Sequence, residues 1–383
     1  MERREMDRAE EKYMERAIVL AEQGRGWTNP NPVVGAVIVK GEKIIGEGYH
    51  GQYGGLHAER EAIAALTEPA EGATMYVTLE PCCHYGKTPP CTEGILEQKI
   101  GRVVIGSRDP NPKVAGKGVE CLRKAGVIVE EDFLRESCDR LNRVFFHYIS
   151  TKLPYVVMKY AMTLDGKIAT YTGASKWITG EEARGQVQKM RHQYMGIMAG
   201  IGTVLADNPM LNVRTEGMKS PIRIICDSHL RIPLDSKICQ TAREYPTIVA
   251  CGMADSERKQ KLLEMGVQVI CAPDYKGRVD LPKLMYLLGE QGIDSILLEG
   301  GGELNESALN AGIVKEVKAF VAPKIFGGKG AKSPVTGLGA ALPNEAVGLS
   351  LEQVTKVGED LLLEYQVVSQ KRKGGVSECL PEL

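Results

Sequence analysis

Within residues 57–91 the chain sets His57-Ala58-Glu59 ahead of Glu80-Pro81-Cys82-Cys83-His84-Tyr85-Gly86-Lys87-Thr88-Pro89-Pro90-Cys91. One imidazole and two thiolates make the three-ligand set that a catalytic Zn²⁺ uses when its fourth position stays open for water. Such a set beside a glutamate suits hydrolytic deamination. An activated water attacks an amidine-like carbon, and a carboxylate that is not a ligand moves the protons. Glu59 is the candidate for that shuttle, as base toward the water and acid toward the departing ammonia. The usual signature pairs H-x-E with P-C-x-x-C; here the first half fits, whereas the cysteines read C-C-x7-C. Of the adjacent thiols, Cys82 directly follows Glu80-Pro81 and is taken as the ligand, with Cys83 pointing elsewhere. A closed structural zinc site would recruit Cys83 or His84 as a fourth ligand, and that arrangement leaves Glu59 without a role.

The elements that must hold these groups alternate between helix and strand. Apolar spacing predicts a helix over 7–23 with Tyr13, Ala17, Leu20 and Ala21 on one face, stopped by Gly24. Asn29-Pro30-Asn31-Pro32 feeds a buried strand over 33–39, and Gly41-Glu42 turns it into a second strand over 43–49. A short Ala-rich helix over 57–66 puts His57 and Glu59 in its first turn, where backbone N–H groups favour a carboxylate. A strand over 74–79 ends at the Pro81-Cys82 corner, and a helix over 92–98 leaves Cys91 at its start. Both arms therefore fall on strand-to-helix junctions, where α/β sheets place their sites. A strand over 102–106, a helix near 118–124, a strand over 127–129 and one helix over 132–150 complete a first domain, 1–150.

The alternation restarts after 151–154, giving a second domain over 151–369 and a polar tail over 370–383. Strands are expected over 155–161, 195–199, 222–226, 247–250, 268–271, 295–298, 317–321 and 361–367. Thr179-Gly180-Glu181-Glu182 reads as a capping box for a helix reaching Tyr194. Leu298-Glu299-Gly300-Gly301-Gly302-Glu303-Leu304 is a strand running into a Gly-rich helix start, where a pyrophosphate could approach backbone N–H groups. With 383 residues, two domains of ordinary size are expected. The balance of 48 basic against 49 acidic residues provides no field for nucleic acid. Ten Cys without a signal-peptide run point to free thiols and a metal site in a cytoplasmic protein, and no apolar run suits a membrane span.

The run from Glu80 to Cys91 resembles the deaminase half of the bifunctional deaminase/reductase family of riboflavin biosynthesis, although that family usually has Ser where this chain has Cys83. Met158-Lys159-Tyr160-Ala161-Met162-Thr163-Leu164-Asp165-Gly166-Lys167, Ser175-Lys176-Trp177, Gly202-Thr203-Val204-Leu205-Ala206-Asp207-Asn208-Pro209 and the Gly-rich segment are similar to its reductase half. The resemblance covers about residues 7–369. It implies a cytidine-deaminase-like domain followed by a dihydrofolate-reductase-like domain, both α/β. It further implies Zn²⁺ on His57, Cys82 and Cys91 with Glu59 catalytic, and Asn31, His50, His84 and Lys87 against the pyrimidine or ribose phosphate. In the second half it implies that NADPH meets Ala161, Trp177, Thr203, Asp207, Ser228 and the segment Gly301, Gly302, Glu303, Leu304, Asn305, Glu306, Ser307. Substrate would meet Ser175, Arg191, Leu211, Arg214 and Glu299. Arg191 and Arg214 could grip a 5′-phosphate bidentately, Trp177 offers a flat face to a cofactor, and Lys159 and Asp207 could assist proton movement. The expected partner is a small pyrimidine ribosyl phosphate substrate, with no nucleic acid or membrane, and the enzyme is expected to be a homo-oligomer. Two alternatives are a nucleic-acid-editing deaminase with an appended reductase-like domain, disfavoured by the neutral charge and long Cys–Cys loop, and a scaffold stapled by zinc, disfavoured by Glu59.

Overall fold

The computed structural model describes residues 2–86, 89–111 and 114–369, so Lys87 and the 370–383 tail lie outside the described residues. The chain divides into two compact units between Lys152 and Leu153. The first runs α1 (Glu2–Glu22), β1 (Gly35–Lys40), β2 (Lys43–Tyr49), α2 (Ala58–Ala64), β3 (Thr74–Leu79), α3 (Cys91–Glu97), β4 (Arg102–Ser107), α4 (Lys117–Lys124), β5 (Ile128–Glu130), α5 (Arg135–Leu141) and α6 (Arg143–Thr151). Its sheet has the order β2-β1-β3-β4-β5. β1 is antiparallel to both β2 and β3, and β3, β4 and β5 run parallel. Alternate strand residues feed two cores. Ala36, Ile38, Met75, Val77, Val103 and Ile105 meet Ala58, Ala62, Ile95 and Leu122 from α2, α3 and α4. Val37, Val39, Tyr76 and Val104 meet Tyr13, Met14, Ala17 and Leu20 of α1 on the other face. The result is an α/β/α sandwich generated by the period-two alternation of the strands.

α2 lies flush on β2 because two glycines leave no side chain between them. A Cβ on Gly46 would stand 2.4 Å from the Ala62 carbonyl oxygen, and one on Gly48 would stand 2.3 Å from the Ala62 nitrogen. This close approach fixes the height of α2, and with it His57 and Glu59 at the helix start, above the sheet.

The second unit runs β6 (Tyr155–Thr163), α7 (Glu181–Gln193), β7 (Gly196–Gly200), α8 (Ile201–Asp207), β8 (Ile222–Cys226), α9 (Lys237–Gln240), β9 (Thr247–Cys251), α10 (Ser256–Glu264), β10 (Gln268–Cys271), α11 (Leu281–Glu290), β11 (Ser295–Leu298), α12 (Gly302–Asn310), β12 (Val314–Ala322), β13 (Gly348–Val357) and β14 (Asp360–Ser369). Its sheet order is β10-β9-β8-β7-β11-β6-β12-β14-β13. All neighbours from β10 to β12 are parallel, and β14 and β13 close the edge as an antiparallel ribbon. Separate apolar clusters cover the two faces, one built on Val156, Ile224 and Leu298 and the other on Ile197, Ile225 and Val249. No helix among the described residues is long and apolar enough to cross a membrane.

Three differences from the sequence reading have local causes. The single helix expected over 132–150 is two, α5 and α6, broken at Asn142, whose φ is −117°. Its buried side chain accepts from the Val33 N–H and donates to the Val33 carbonyl, both at 2.9 Å, so β1 starts at Gly35 and the preceding segment is held by side-chain bonds. Thr179 does not cap α7. Gly180 takes that place, and its N–H donates to Asp360 Oδ2 at 2.8 Å. β13 has no counterpart in the sequence reading; it is an edge strand whose residues are mostly exposed, so no buried face marks it.

Asn142→Ala leaves two buried backbone groups of Val33 unpaired, and should lower the stability of the first unit by about 2–4 kcal/mol. Denaturant midpoints of the variant and the parent check this.

Candidate active sites

In the first unit the ligand-type atoms converge. His57 is the N-cap of α2 with extended backbone (φ −77°, ψ 158°), which turns its ring back across the helix start. Its Nδ1 lies 3.5 Å from Cys82 Sγ and 3.3 Å from Cys91 Sγ. The three ligand atoms are mutually within 4.8 Å, and Cys91 is fully buried. Cys82 sits in the loop after β3 and Cys91 opens α3, where its backbone N–H donates to Cys82 Sγ at 3.4 Å. Cys83 stands outside the cluster. Cys91 acts as the S–H donor toward Cys82, which draws Cys82 down to about 4 and pushes Cys91 up. The pocket thus favours the Cys82 thiolate at neutral pH, the form that binds metal, while Cys91 holds the shared proton. One nitrogen and two sulfurs at this spacing fit a tetrahedral Zn²⁺ with one open position.

Glu59 lies in the first turn of α2 and is 3% exposed. Burial, then the neighbouring Cys82 charge, pushes its carboxyl up to about 7. A divalent ion beside it would draw that value down again. His50 is equally buried. Its Nδ1 donates to the Leu56 carbonyl at 2.8 Å, leaving Nε2 to accept from Asn31 Nδ2 at 3.3 Å. Burial lowers its pKa, so the ring is neutral, and it meets the His57 ring edge-on at 5.5 Å. The structure therefore brings Asn31, His50, His57, Glu59, Cys82 and Cys91 together, while His84 is exposed on the loop between the thiols.

Sequence reasoning used Glu80 only as part of a motif. Its buried carboxylate accepts from the N–H groups of Gly116 (3.0 Å), Gly118 (3.1 Å) and Val119 (3.4 Å) around the start of α4. That ties the Pro81-Cys82 corner to a helix N-terminus. A carboxylate immediately after a buried strand is the signal that could have identified it.

In the second unit the candidate residues gather at the carboxyl ends of the parallel strands, the usual place for a ligand. Leu298 pairs with Met158 in register, which sets Glu299 beside Lys159. Glu299 Oε1 accepts from Arg191 Nε at 2.7 Å, and Oε2 accepts from Arg191 Nη2 at 3.0 Å and from Lys159 Nζ at 3.3 Å. Arg191 Nη1 donates to the Asn212 carbonyl at 3.0 Å, and Gln188 Oε1 accepts the Arg214 N–H at 2.8 Å. All three nitrogens of Arg191 are thus engaged by protein oxygens. The expected bidentate grip of Arg191 on a phosphate is not the geometry found; its fork is occupied by Glu299, and it holds the 212–214 segment. Arg214 carries an exposed side chain, while Leu211 is buried with φ +51°.

Gly301 and Thr203 face each other between the β11–α12 turn and α8. A Cβ on Gly301 would meet nothing closer than Thr203 Oγ1 at 3.9 Å, so the turn leaves open space before the α12 N-terminus. Open space at a helix N-terminus is a setting in which backbone N–H groups can meet a phosphate. Gly302 serves another need, since a Cβ there would stand 2.6 Å from Thr336 Cγ2. Asn305 is buried and donates to the Pro334 carbonyl at 2.8 Å, which commits its amide to the loop. Glu303, Ser307 and Asp207 are exposed; Ala161, Leu304, Glu306 and Ser175 are half-buried. Trp177 is exposed, yet the Arg184 guanidinium lies 4.5 Å from its ring centre, covering one face. Ser228 follows β8 by two residues. Its carbonyl accepts from the N–H groups of Gly252 and Met253, and its Oγ from that of Val279.

Residues 7–107 match the family model described as the cytidine and deoxycytidylate deaminase zinc-binding region, and residues 154–363 match that of the RibD C-terminal domain. The riboflavin biosynthesis protein RibD of Actinobacillus pleuropneumoniae is 57% identical over 93% of this chain and 95% of its own. That of Escherichia coli (strain K12) is 39% identical over 92% and 98%. The crystal structure of a diaminohydroxyphosphoribosylaminopyrimidine deaminase/5-amino-6-(5-phosphoribosylamino)uracil reductase from Thermotoga maritima matches with a TM-score of 0.83 at 38% identity, covering 95% of this chain and 100% of that one. The chain therefore belongs to the RibD family and is a bifunctional deaminase and reductase of riboflavin biosynthesis, with a zinc-binding deaminase domain followed by a reductase domain.

Proposed function

We propose that the first domain removes the 2-amino group of 2,5-diamino-6-ribosylamino-4(3H)-pyrimidinone 5′-phosphate by hydrolysis, and that the second reduces the ribosyl chain of the product to its ribityl form. The observation that carries this reading is the convergence of His57, Cys82 and Cys91 around one point beside the buried Glu59. Those three residues would hold Zn²⁺, which supplies Lewis acidity at its open position. Glu59 takes a proton from the attacking water and returns it to the departing amino nitrogen. Neutral His50, with its donor spent on Leu56, orients the Asn31 amide toward the pyrimidine. His84 and Lys87, on the loop between the thiols, are assigned to the ribose phosphate.

In the second domain NADPH supplies the hydride. Its pyrophosphate is assigned to the 301–307 segment, and the rest of the cofactor to Ala161, Trp177, Thr203, Asp207 and Ser228. Arg214 becomes the phosphate-facing cation, because Arg191 is held by Glu299. Lys159, Glu299 and Arg191 form the charged floor beneath the sugar, with Ser175 and Leu211 completing it. We assign the working form to a homo-oligomer, a reading supported by Leu349, Leu351 and Val354, which stand exposed along the edge strand β13. The nine free cysteines among the described residues support a reducing, cytoplasmic setting.

Glu59→Gln should retain one zinc per chain by elemental analysis yet release no ammonia, while reduction of pre-deaminated substrate continues. Loss of zinc in that variant would undercut the role given to Glu59. For Glu299, burial alone would raise its carboxyl, but Arg191 and Lys159 outweigh it and hold it at about 2. The folded value lies below the ordinary 4.5, so the pairing stabilises fully above about pH 4.5 and is lost as pH falls toward 2. Glu299→Gln should flatten the stability–pH profile in that window. It should also lower the reductase rate roughly tenfold or more while leaving ammonia release intact. Acid titrations and separate ammonia and NADPH assays check both.

A further inference from the structure

β9 and β10 are parallel neighbours in which Cys251 and Cys271 are directly paired in register. Their sulfurs lie 3.3 Å apart. Neighbouring strands stand about 4.8 Å apart, inside the Cα separation of about 4.4–6.8 Å that a disulfide tolerates. The two thiols are unequal, since Cys251 is fully buried and Cys271 is exposed. Neither belongs to the zinc cluster or to the charged floor of the reductase site.

We propose that Cys251 and Cys271 are an oxidisable dithiol, a modification site that closes to a disulfide when the enzyme meets an oxidised low-molecular-weight disulfide. The Cys271 thiolate, exposed at the strand end, attacks the S–S bond of the oxidant, forming a mixed disulfide and expelling one small thiol. The Cys251 sulfur then loses its proton to water and displaces the second small thiol from Cys271. Two protein S–H bonds are exchanged for one S–S bond, and the oxidant leaves as two thiols, reduced by the two electrons the protein gives up. Burial pushes the Cys251 thiol up to about 12, consistent with Cys271 as the attacking group. The exposed Cys271 sulfur leaves one end of the bond open to reducing thiols, which makes the modification reversible.

The position gives the modification a target. Residues after both cysteines grip Ser228: the Gly252 and Met253 N–H groups donate to its carbonyl, each at 3.1 Å, and the Val279 N–H donates to its Oγ at 3.2 Å. Val279 is reached from Cys271 through the Pro273–Val279 bridge. Closing the sulfurs from 3.3 Å to the bonded distance of about 2.05 Å pulls on both grips at once. This part rests on the reading of Ser228 as an NADPH contact.

The test uses the full-length zinc-loaded enzyme incubated with oxidised glutathione, alkylated, digested and mapped by mass spectrometry. A peptide pair joined through Cys251 and Cys271 is expected, reversed by dithiothreitol and absent from Cys271→Ser. The KM for NADPH should change by roughly threefold or more in the oxidised parent and stay fixed in Cys271→Ser. Alkylation of both thiols after exposure, or a stable glutathione adduct on Cys271 with Cys251 still alkylated, overturns the proposal. A mapped disulfide with an unchanged KM removes the coupling to Ser228. An independent Ser228→Ala variant that binds NADPH like the parent would instead show that the assignment of Ser228 had failed.

Discussion

Each site hangs on a carboxylate taken out of most of its water on the residue that follows a strand: the buried Glu80 after β3 and the half-buried Glu299 after β11. An unpaired carboxylate in such a place costs several kcal/mol, so each must be answered by fixed donors. Glu80 is answered by three backbone N–H groups around the α4 start, and Glu299 by the fork of Arg191 with the ammonium of Lys159. The donors belong to elements distant in sequence. Satisfying the carboxylate therefore sets the position of α4 against the Cys82 corner in one unit, and of α7 against β6 and β11 in the other. The chemistry-bearing residues stand where they do because neither charge can be left alone.

What the sequence revealed follows from the range of the forces involved. His57, Glu59, Cys82 and Cys91 were legible because metal ligation depends on residue type and short spacing, and their spatial meeting follows from strand-to-helix junctions on one sheet. The strand and helix alternation was legible because β1, β3 and β4 are covered on both faces and so read as short continuous apolar runs. Two of the failures are long-range. Asn142 breaks a helix and bonds Val33, 109 residues away, and Gly180, the N-cap of α7, donates its N–H to Asp360 across 180 residues. Neither leaves a local mark. β13 is exposed along most of its length, so it lacks the buried alternation by which a strand is recognised.

The glycines carry a similar lesson. Gly300, Gly301 and Gly302 look alike as a run, yet they serve different ends. Gly301 leaves space beside Thr203 before α12, whereas Gly302 admits Thr336 from the loop that follows β12. A Gly-rich helix start thus combines a position that leaves space open with one that close packing requires, and only the neighbours distinguish the two.

The charge on the reductase floor does not close. Lys159 and Arg191 contribute two positive charges and Glu299 one negative, so the triad retains one positive charge although each side chain is only 12–15% exposed. Arg191 holds Glu299 through two bonds of 2.7 and 3.0 Å and spends its remaining nitrogen on Asn212, whereas Lys159 reaches the same carboxylate at 3.3 Å. The ammonium is a flexible point charge that can swing on its stem, and the guanidinium is a planar fork with three of its five N–H groups fixed on protein oxygens. The less committed cation is therefore Lys159, which stands within β6 just beyond the end of its neighbour β11.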